Sequence, residues 1–287
     1  MQENKPLDWT TFEEMQRVQP LKVMASGLKS QRAFIMDMAR GSFSNIEELA
    51  CCMRASCLLP GVAGPVMNMR YPQEEEENRD DGASSKGYDM RPRNRFDGGD
   101  DYEPLADALL FEPLPYRAAI KEGATHVICL RSRPDGVDVT GKSSIFEKMI
   151  IRRFFLRKNS LRDAYDYMKR NTHKKLYAEQ VIELNEGAKD IERLYSDTSK
   201  PHLLPIALPP GSAEVSKLET GREAIFRGVR RGFARAYDSL VEDPNERGKG
   251  MEVAALIFPE DMLNYDPLIY TSQTESAYEN YLKSKQT

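Results

Sequence analysis

The side chains that most often carry out chemistry in proteins are scattered in this sequence. Its three histidines, His126, His173 and His202, are far apart, and none has a partner at metal-ligand spacing. The cysteines form no CxxC pair, and three of them crowd into one short segment where disulfide geometry is awkward; they are Cys51, Cys52, Cys57 and Cys129. We therefore expect reduced thiols and no metal site. The acidic run 74–77 has no ligand-spaced loop and is interpreted as a solvated linker.

The segment 54–66, RASCLLPGVAGPV, stands out by composition. It turns at Pro60-Gly61 and again at Gly64-Pro65, and it is almost uncharged in a chain that is 30% charged. A helix is predicted directly before it, because Asn45 and Glu48 have capping-box spacing ahead of an apolar face. Before that helix, apolar runs at 21–28 and 32–38 predict two neighbouring strands.

Downstream, the sequence changes character twice. Residues 71–103 have almost no aliphatic side chains and alternate acidic and basic blocks, which predicts a disordered surface insertion. Order returns with a short helix that ends at Gly123 and an apolar run at 125–131, which is typical of a strand buried on both faces of a parallel sheet. Helix followed by strand is the rhythm of an α/β fold.

The remainder of the chain, 142–287, is expected to be mainly helical. The clearest helix opens at Thr220 and has an apolar stripe of Ile225, Val229, Phe233, Tyr237 and Leu240. A formal net charge of −4 and a pI of about 5.7 argue against nucleic acid as a partner. The sequence also has no secretory leader pattern and no apolar run of spanning length, so a cytoplasmic or peripheral-membrane location is expected.

Taken with the strand pair before it and ADALLFEPLPYRAAIKEGATHVICL after it, the 54–66 loop resembles the later part of a patatin-like phospholipase domain. This family consists of serine acyl hydrolases that act on lipids. In it, a segment of the form A-S-x-x-x-P-G-x-x-x-P-V follows a helix and shapes the acyl pocket. The resemblance implies that the pocket is lined by Ser56, Leu58, Leu59, Pro60, Val62, Pro65 and Val66. An ordinary buried loop remains the alternative.

A second stretch carries the same resemblance. The family has an aspartate, then an apolar-proline pair, an alanine-rich helix, a Gly-Ala stop and a buried strand; here Asp107, Pro115 and Gly123 keep that register, whereas Asp97 does not. The resemblance implies that Asp107 is the carboxylate of a Ser-Asp dyad. It would take the proton from a serine that attacks an ester, while backbone amides stabilise the oxyanion. No histidine, metal or cofactor is implied.

Two family features are missing from these 287 residues. No G-x-S-x-G nucleophile elbow and no glycine-rich oxyanion loop occur, and Ala108 stands where the family usually has glycine. Ser26 and Ser56 precede no such elbow and are interpreted as structural. The resemblance covers about 18–136, which implies an α/β fold with a partial three-layer patatin-like sheet over 1–141, including the insertion 71–103, and a helical extension over 142–287.

Three explanations stay open for the missing part: an incomplete gene product, a pseudoenzyme, or a second chain that supplies the other half. The expected function is ester hydrolysis of phospholipid or acylglycerol, with a lipid or membrane surface as substrate and little catalysis by this chain alone. The alternative is a non-catalytic lipid- or protein-binding module. In that alternative, the arginines near 227–235 attract anionic headgroups, unless they simply form a solvated helix face.

Overall fold

A computed structural model describes residues 7–58, 67–70, 91–92, 102–139, 161–190, 196–216 and 219–264, together with positions 141, 149 and 194. Among these residues, helices are combined with two small sheets, so the fold belongs to a mixed α/β class. The chain packs as two compact units. One contains Met1–Lys121 and Val139–Glu183, and the other contains Glu122–Asp138 and Leu184–Thr287. Both differ from the predicted domains, whose boundary was placed at 141.

The predicted strand pair is an antiparallel hairpin in the first unit. Strand β1 (Val23–Gly27) pairs with β2 (Arg32–Met36), with Val23 opposite Met36. The last residue of β1 is Gly27, where a side chain has little room: a Cβ would overlap the Phe34 ring and would lie 2.7 Å from Ser30 Oγ and 2.8 Å from Glu103 Oε1. The close approach serves the turn, since Glu103 Oε1 accepts hydrogen bonds from the backbone of residues 29 and 30.

Three further strands complete the first sheet: β3 (Met67–Arg70), β4 (Arg91–Pro92) and β5 (Tyr102–Ala106). The strand order is β2-β1-β5-β3-β4, and every pair is antiparallel. The prediction of disorder over 71–103 is therefore wrong for 91–92 and 102–103, and the rest of that segment lies outside the described residues. Backbone hydrogen bonds to β3 order these polar residues, and such bonds cannot be predicted from amino-acid composition.

Two helices pack on this sheet. They are α1 (Trp9–Met15) and α2 (Ile46–Ser56). The predicted cap of α2 is confirmed, because Asn45 Oδ1 accepts from Glu48 N at 2.9 Å; Glu48 Oε2 in turn accepts from Ser44 N at 2.7 Å. Buried side chains of α2 then join the sheet residues in one core; they are Leu49, Cys52 and Ala55. This packing fixes the C-terminal end of α2, where the apolar loop begins.

The first unit continues with a 3₁₀ turn (Ala108–Leu110), α3 (Tyr116–Lys121), α4 (Arg162–Lys169) and α5 (Thr172–Gly187), the last of which runs past Glu183 into the second unit. Gly123 has φ +93° after α3, which is the left-handed backbone that stops the helix as predicted. Within 142–160, the start of the segment expected to be mainly helical, only position 149 is among the described residues.

The second unit contains a parallel pair, β6 (His126–Leu130) and β7 (His202–Ile206), with Leu130 opposite Ile206. Parallel pairing agrees with the prediction, but burial on both faces is wrong. Ile128 is 56% exposed and Leu130 is 73% exposed, whereas Cys129 between them is buried. This alternation is that of a strand covered on one face, which the continuous apolar run did not reveal.

Helices α6 (Arg222–Leu240) and α7 (Gly250–Ile257) follow, with 3₁₀ turns at Pro244–Glu246 and Glu260–Asn264. The predicted long helix is thus confirmed, starting two residues later than Thr220. Phe233 and Tyr237 from its stripe pack against α7, while Ile225 and Val229 stay exposed. Asp238 Oδ1 accepts hydrogen bonds from the backbone at 248 and 250, both at 2.9 Å, and so anchors the start of α7.

Candidate functional site

Asp107 lies where β5 ends, and the backbone holds it on both sides. Its N–H donates to the carbonyl of Leu58 at 3.0 Å, which ties the end of β5 to the residues after α2. Its Oδ1 accepts from Leu109 N at 2.8 Å and caps the 3₁₀ turn. The carboxyl group is therefore fixed by main-chain contacts before any ligand is considered.

A cleft of about 540 Å³ opens beside this carboxyl group. Its walls are residues 21–24 leading into β1, the end of α2 at 53 and 56–57, the turn 107–109, and residues 112, 113 and 115. Ser56 and Asp107, one from each segment of the resemblance, thus line the same cleft although β3, β4 and β5 intervene in the chain. Most of the other wall residues are apolar, among them Val23, Met24 and Met53.

Burial perturbs both acidic groups in the cleft wall. It raises the pKa of Asp107, against the hydrogen bond from Leu109 N, which lowers it. It also raises the pKa of Glu112, opposed chiefly by the positive charges of Arg117 and Lys121. A carboxyl group with a raised pKa in an apolar cleft is suited to accept or donate a proton near neutral pH.

The hydroxyl of Ser26, near Asp107, is used in two structural hydrogen bonds. Its hydroxyl donates to Ala108 O at 3.2 Å and accepts from Phe111 N at 3.1 Å, and the residue is buried. The donor and an acceptor position are both in use, so this hydroxyl fixes the 3₁₀ turn below the carboxylate. The interpretation of Ser26 as structural is confirmed.

One wall of the cleft is held from behind by α5. Gln180, fully buried, accepts at Oε1 from Leu114 N at 2.9 Å. Tyr116 Oη donates to Glu183 Oε2 at 2.8 Å, and Arg117 Nε donates to the same oxygen at 2.9 Å. The hydrogen bond and charge of Arg117 lower the pKa of Glu183, while burial raises that of Tyr116 to about 12. Sequence reasoning missed this support, whose one local signal is the i, i+3 spacing of Gln180 and Glu183 on one helix face.

The other residues predicted for an acyl pocket are placed as follows. Leu58 is fully buried in the sheet core, and it contributes its carbonyl to Asp107 rather than a side chain to the cleft. Leu59, Pro60, Val62, Pro65 and Val66 lie outside the described residues.

Membrane-spanning helices and metal centres are absent from the described ranges. Across those ranges, no helix has the length and apolar character needed to cross a bilayer. Within the same ranges, no three acidic, cysteine or histidine side chains are grouped so that they could hold a metal ion.

Two arginines of α6, Arg227 and Arg230, form ion pairs with nearby glutamates. Arg227 Nη2 lies 2.5 Å from Glu223 Oε1 one turn earlier. Arg230 Nε donates to Phe258 O at 2.7 Å and its Nη1 lies 3.3 Å from Glu260 Oε1. Neighbouring carboxylates thus offset two of the positive charges that had suggested headgroup binding.

Comparison with known proteins adds no neighbour: no protein-family model, no curated protein and no solved structure matches this chain.

Proposed function

We propose that this chain is part of a patatin-like lipid acyl hydrolase, in which the cleft beside Asp107 receives an acyl chain and Asp107 is the carboxylate of a Ser-Asp dyad. The observation that carries the proposal is that Ser56 and Asp107, from two separate segments of the family resemblance, line one cleft with largely apolar walls. In the complete domain, the antiparallel sheet would take its place in a three-layer patatin-like arrangement.

The chemistry needs a base next to an apolar binding surface. A serine hydroxyl attacks the ester carbonyl and its proton passes to the Asp107 carboxylate, which then gives it to the leaving alcohol as the acyl-enzyme forms. Asp107 next takes a proton from water, which attacks the acyl-enzyme, and returns that proton to the serine oxygen as the acid is released. The raised pKa of Asp107 makes this carboxylate a stronger base than an exposed one. Its Oδ1 accepts the bond from Leu109, and among the described residues Oδ2 has no donor, which leaves this oxygen for the incoming hydroxyl.

The serine of the dyad is proposed to come from outside these 287 residues, through a longer gene product or a second chain. The committed hydroxyl of Ser26 and the missing G-x-S-x-G support this division. A lipid or membrane surface is the proposed substrate source, and a cytoplasmic or peripheral-membrane location is proposed with it.

Acyl binding can be tested without catalysis. Octyl p-nitrophenyl ether, neutral and not hydrolysable, should bind saturably to the 287-residue chain by calorimetry. Met53→Glu puts a charge into the cleft wall at a partly exposed position and should weaken binding at least tenfold. Met15→Glu, at an exposed position of α1 outside the cleft, is the matched control. Equal binding by both variants would refute an acyl-binding role for the cleft.

Catalysis is tested with p-nitrophenyl octanoate and a fluorophosphonate label. The chain alone should neither turn over the ester nor take the label. Turnover by the chain alone that Asp107→Asn abolishes, and that the exposed control Asp190→Asn keeps, would show that the nucleophile lies within these residues. The genomic reading frame upstream of Met1 gives an independent check, since a G-x-S-x-G there would supply the serine.

The second candidate is a non-catalytic lipid-binding module, which the missing nucleophile favours. It shares the acyl cleft and differs in chemistry. If every gene product that contains this chain lacks the serine elbow and resists the fluorophosphonate label while the ether still binds, the module is the better description.

A further inference from the structure

A second cleft, of about 530 Å³, lies wholly within the second unit. It opens where the parallel strands β6 and β7 end, because Leu130 and Ile206 are the last residues of the two strands and lie opposite each other. The chain leaves both strands at this edge, and α6 forms the remaining wall through Phe233 and Arg235. The carboxyl ends of parallel strands are a frequent ligand position in α/β proteins.

The charge in this cleft is positive and held in place. Arg235 Nε donates to Ala207 O at 2.9 Å, which fixes the guanidinium against the end of β7. Among the described residues, no carboxylate forms an ion pair with Arg235, and no acidic residue lines the cleft. Asp238, one turn further along α6, is engaged with the start of α7 instead.

A second guanidinium in the wall is already neutralised. Arg131 is a cleft residue whose side chain is only 2% exposed, and its Nη1 lies 2.5 Å from Asp135 Oδ1. Among the described residues that line the cleft, Arg235 therefore carries the one uncompensated positive charge, and its terminal amino groups can donate two parallel hydrogen bonds to a ligand. That donor pair matches a carboxylate, and a single charge matches a monoanion better than a dianion.

The rest of the cleft is apolar and partly open. Leu130 is largely exposed at its mouth, and Phe233 and Ile206 lie further along its walls. Gly232 faces empty space, with no heavy atom within 4 Å of the position a Cβ would take. An apolar body attached to the bound headgroup would cover Leu130 and remove its side chain from water.

We propose that this cleft binds an amphipathic monoanion of the fatty-acid class, with the carboxylate on Arg235 and the alkyl chain against Leu130 and Phe233. The site is separate from the cleft beside Asp107 and does not depend on hydrolysis there. Complementary charge at a fixed guanidinium and an exposed apolar wall beside it are the two features that a carboxylate with an alkyl tail satisfies together.

The test is calorimetric titration of the full chain with octanoate, 1-octanol, acetate and octyl phosphate. Octanoate should bind at least tenfold more tightly than 1-octanol, and acetate should not compete. Arg235→Gln should weaken octanoate at least tenfold and leave 1-octanol unchanged. Arg227→Gln, which removes a charge from the same helix outside this cleft, should leave octanoate binding as it is.

Gly232→Leu supplies a variant that keeps the charge. The added side chain enters open space and favours the helix, so the fold should persist while the cleft is filled. Octanoate affinity should fall at least tenfold here too. The proposal is overturned if octanoate binds Arg235→Gln as it binds the parent, if 1-octanol matches octanoate, or if octyl phosphate binds tenfold more tightly than octanoate. Octanoate held only beside Asp107 would be lost in Met53→Glu and kept in Arg235→Gln, which overturns this site without touching the acyl cleft.

Discussion

Substitutions at Asp107 can separate its two roles, that of a cap and that of a charge. Asp107→Asn keeps an oxygen that can accept from Leu109 N, whereas Asp107→Ala removes the cap and the charge together. Loss of a helix-terminus cap costs about 1 kcal/mol. The alanine variant should therefore unfold about 1 kcal/mol more easily than the asparagine variant at every pH.

The charge makes the comparison pH-dependent. Burial raises the pKa of Asp107 above its ordinary value of 3.8, so the folded chain holds this proton more tightly than the unfolded chain. The stability that comes with the protonated form is present below that ordinary value and is lost as the pH rises through the folded pKa. Asp107→Asn cannot ionise, so its free energy of unfolding relative to the parent should increase from acidic to neutral pH.

The assay is urea unfolding at about pH 3, which is below the ordinary pKa of 3.8, and at about pH 7. Trp9, the one tryptophan of the chain, is a suitable probe because it packs against the core of the first sheet. Asp8→Asn is the control of opposite sign. Hydrogen bonds from Thr11 lower the pKa of Asp8, so its carboxylate favours folding above its ordinary value and this contribution is lost as the pH falls.

Two results would refute the reasoning. The first is a parent-minus-Asp107→Asn difference that does not change with pH. The second is a free energy of unfolding that is lower in Asp107→Asn than in the parent by more than about 1 kcal/mol at neutral pH, because the ionised carboxylate would then stabilise the fold, as that of Asp8 does. A residue kept for chemistry is expected to cost folding stability in its ionised form.

Three further predictions, two substitutions and one labelling experiment, test the packing of the first unit. Gly27→Ala should lower the free energy of unfolding by about 2 kcal/mol in urea, because the new methyl group would press on the Phe34 ring, Ser30 Oγ and the Glu103 carboxylate. An unchanged urea midpoint would contradict this close approach. Gln180→Met should lower the free energy of unfolding by about 2 kcal/mol in thermal unfolding, because the backbone N–H of Leu114 loses its acceptor. An unchanged stability would mean that water replaces this hydrogen bond. With a thiol reagent at mildly alkaline pH, Cys57 should react in the native protein and Cys52 only after unfolding. Cys57 is exposed, whereas Cys52 is buried and burial raises its pKa to about 12. Peptide mapping measures the two labelling rates, and equal rates would contradict this prediction.

The features predicted correctly from the sequence are those that depend on short-range interactions along the chain. The cap at Asn45, the stop at Gly123 and the paired runs before and after the first turn depend on neighbours within a few residues. The parallel strand at 126–130 was also predicted correctly, but the prediction that both of its faces are buried was wrong. An apolar run shows that a strand can be covered on both faces, and only the number of packed layers decides whether it is.

The features that sequence reasoning missed depend on distant partners. Strands at 91–92 and 102–103 were placed in a disordered segment because their composition is polar, yet they pair with β3 across a long separation in sequence. The Gln180 support of the cleft joins residues that are 66 positions apart. Ser56 and Asp107 were expected together through the family resemblance, and spacing alone would not have joined them.

A comparison of the buried Glu103 with the half-buried Asp107 supports the proposal that Asp107 is functional. Burial raises the pKa of both Glu103 and Asp107, so each is costly to keep ionised. Glu103 is compensated by two backbone N–H groups of the first turn and does not line the cleft beside Asp107. Asp107 has one such donor and borders a cleft whose walls are mostly apolar. The cost at Glu103 is offset by the turn that it organises. Among the described residues, the second oxygen of Asp107 has no donor, so a ligand hydroxyl in the cleft can bind it.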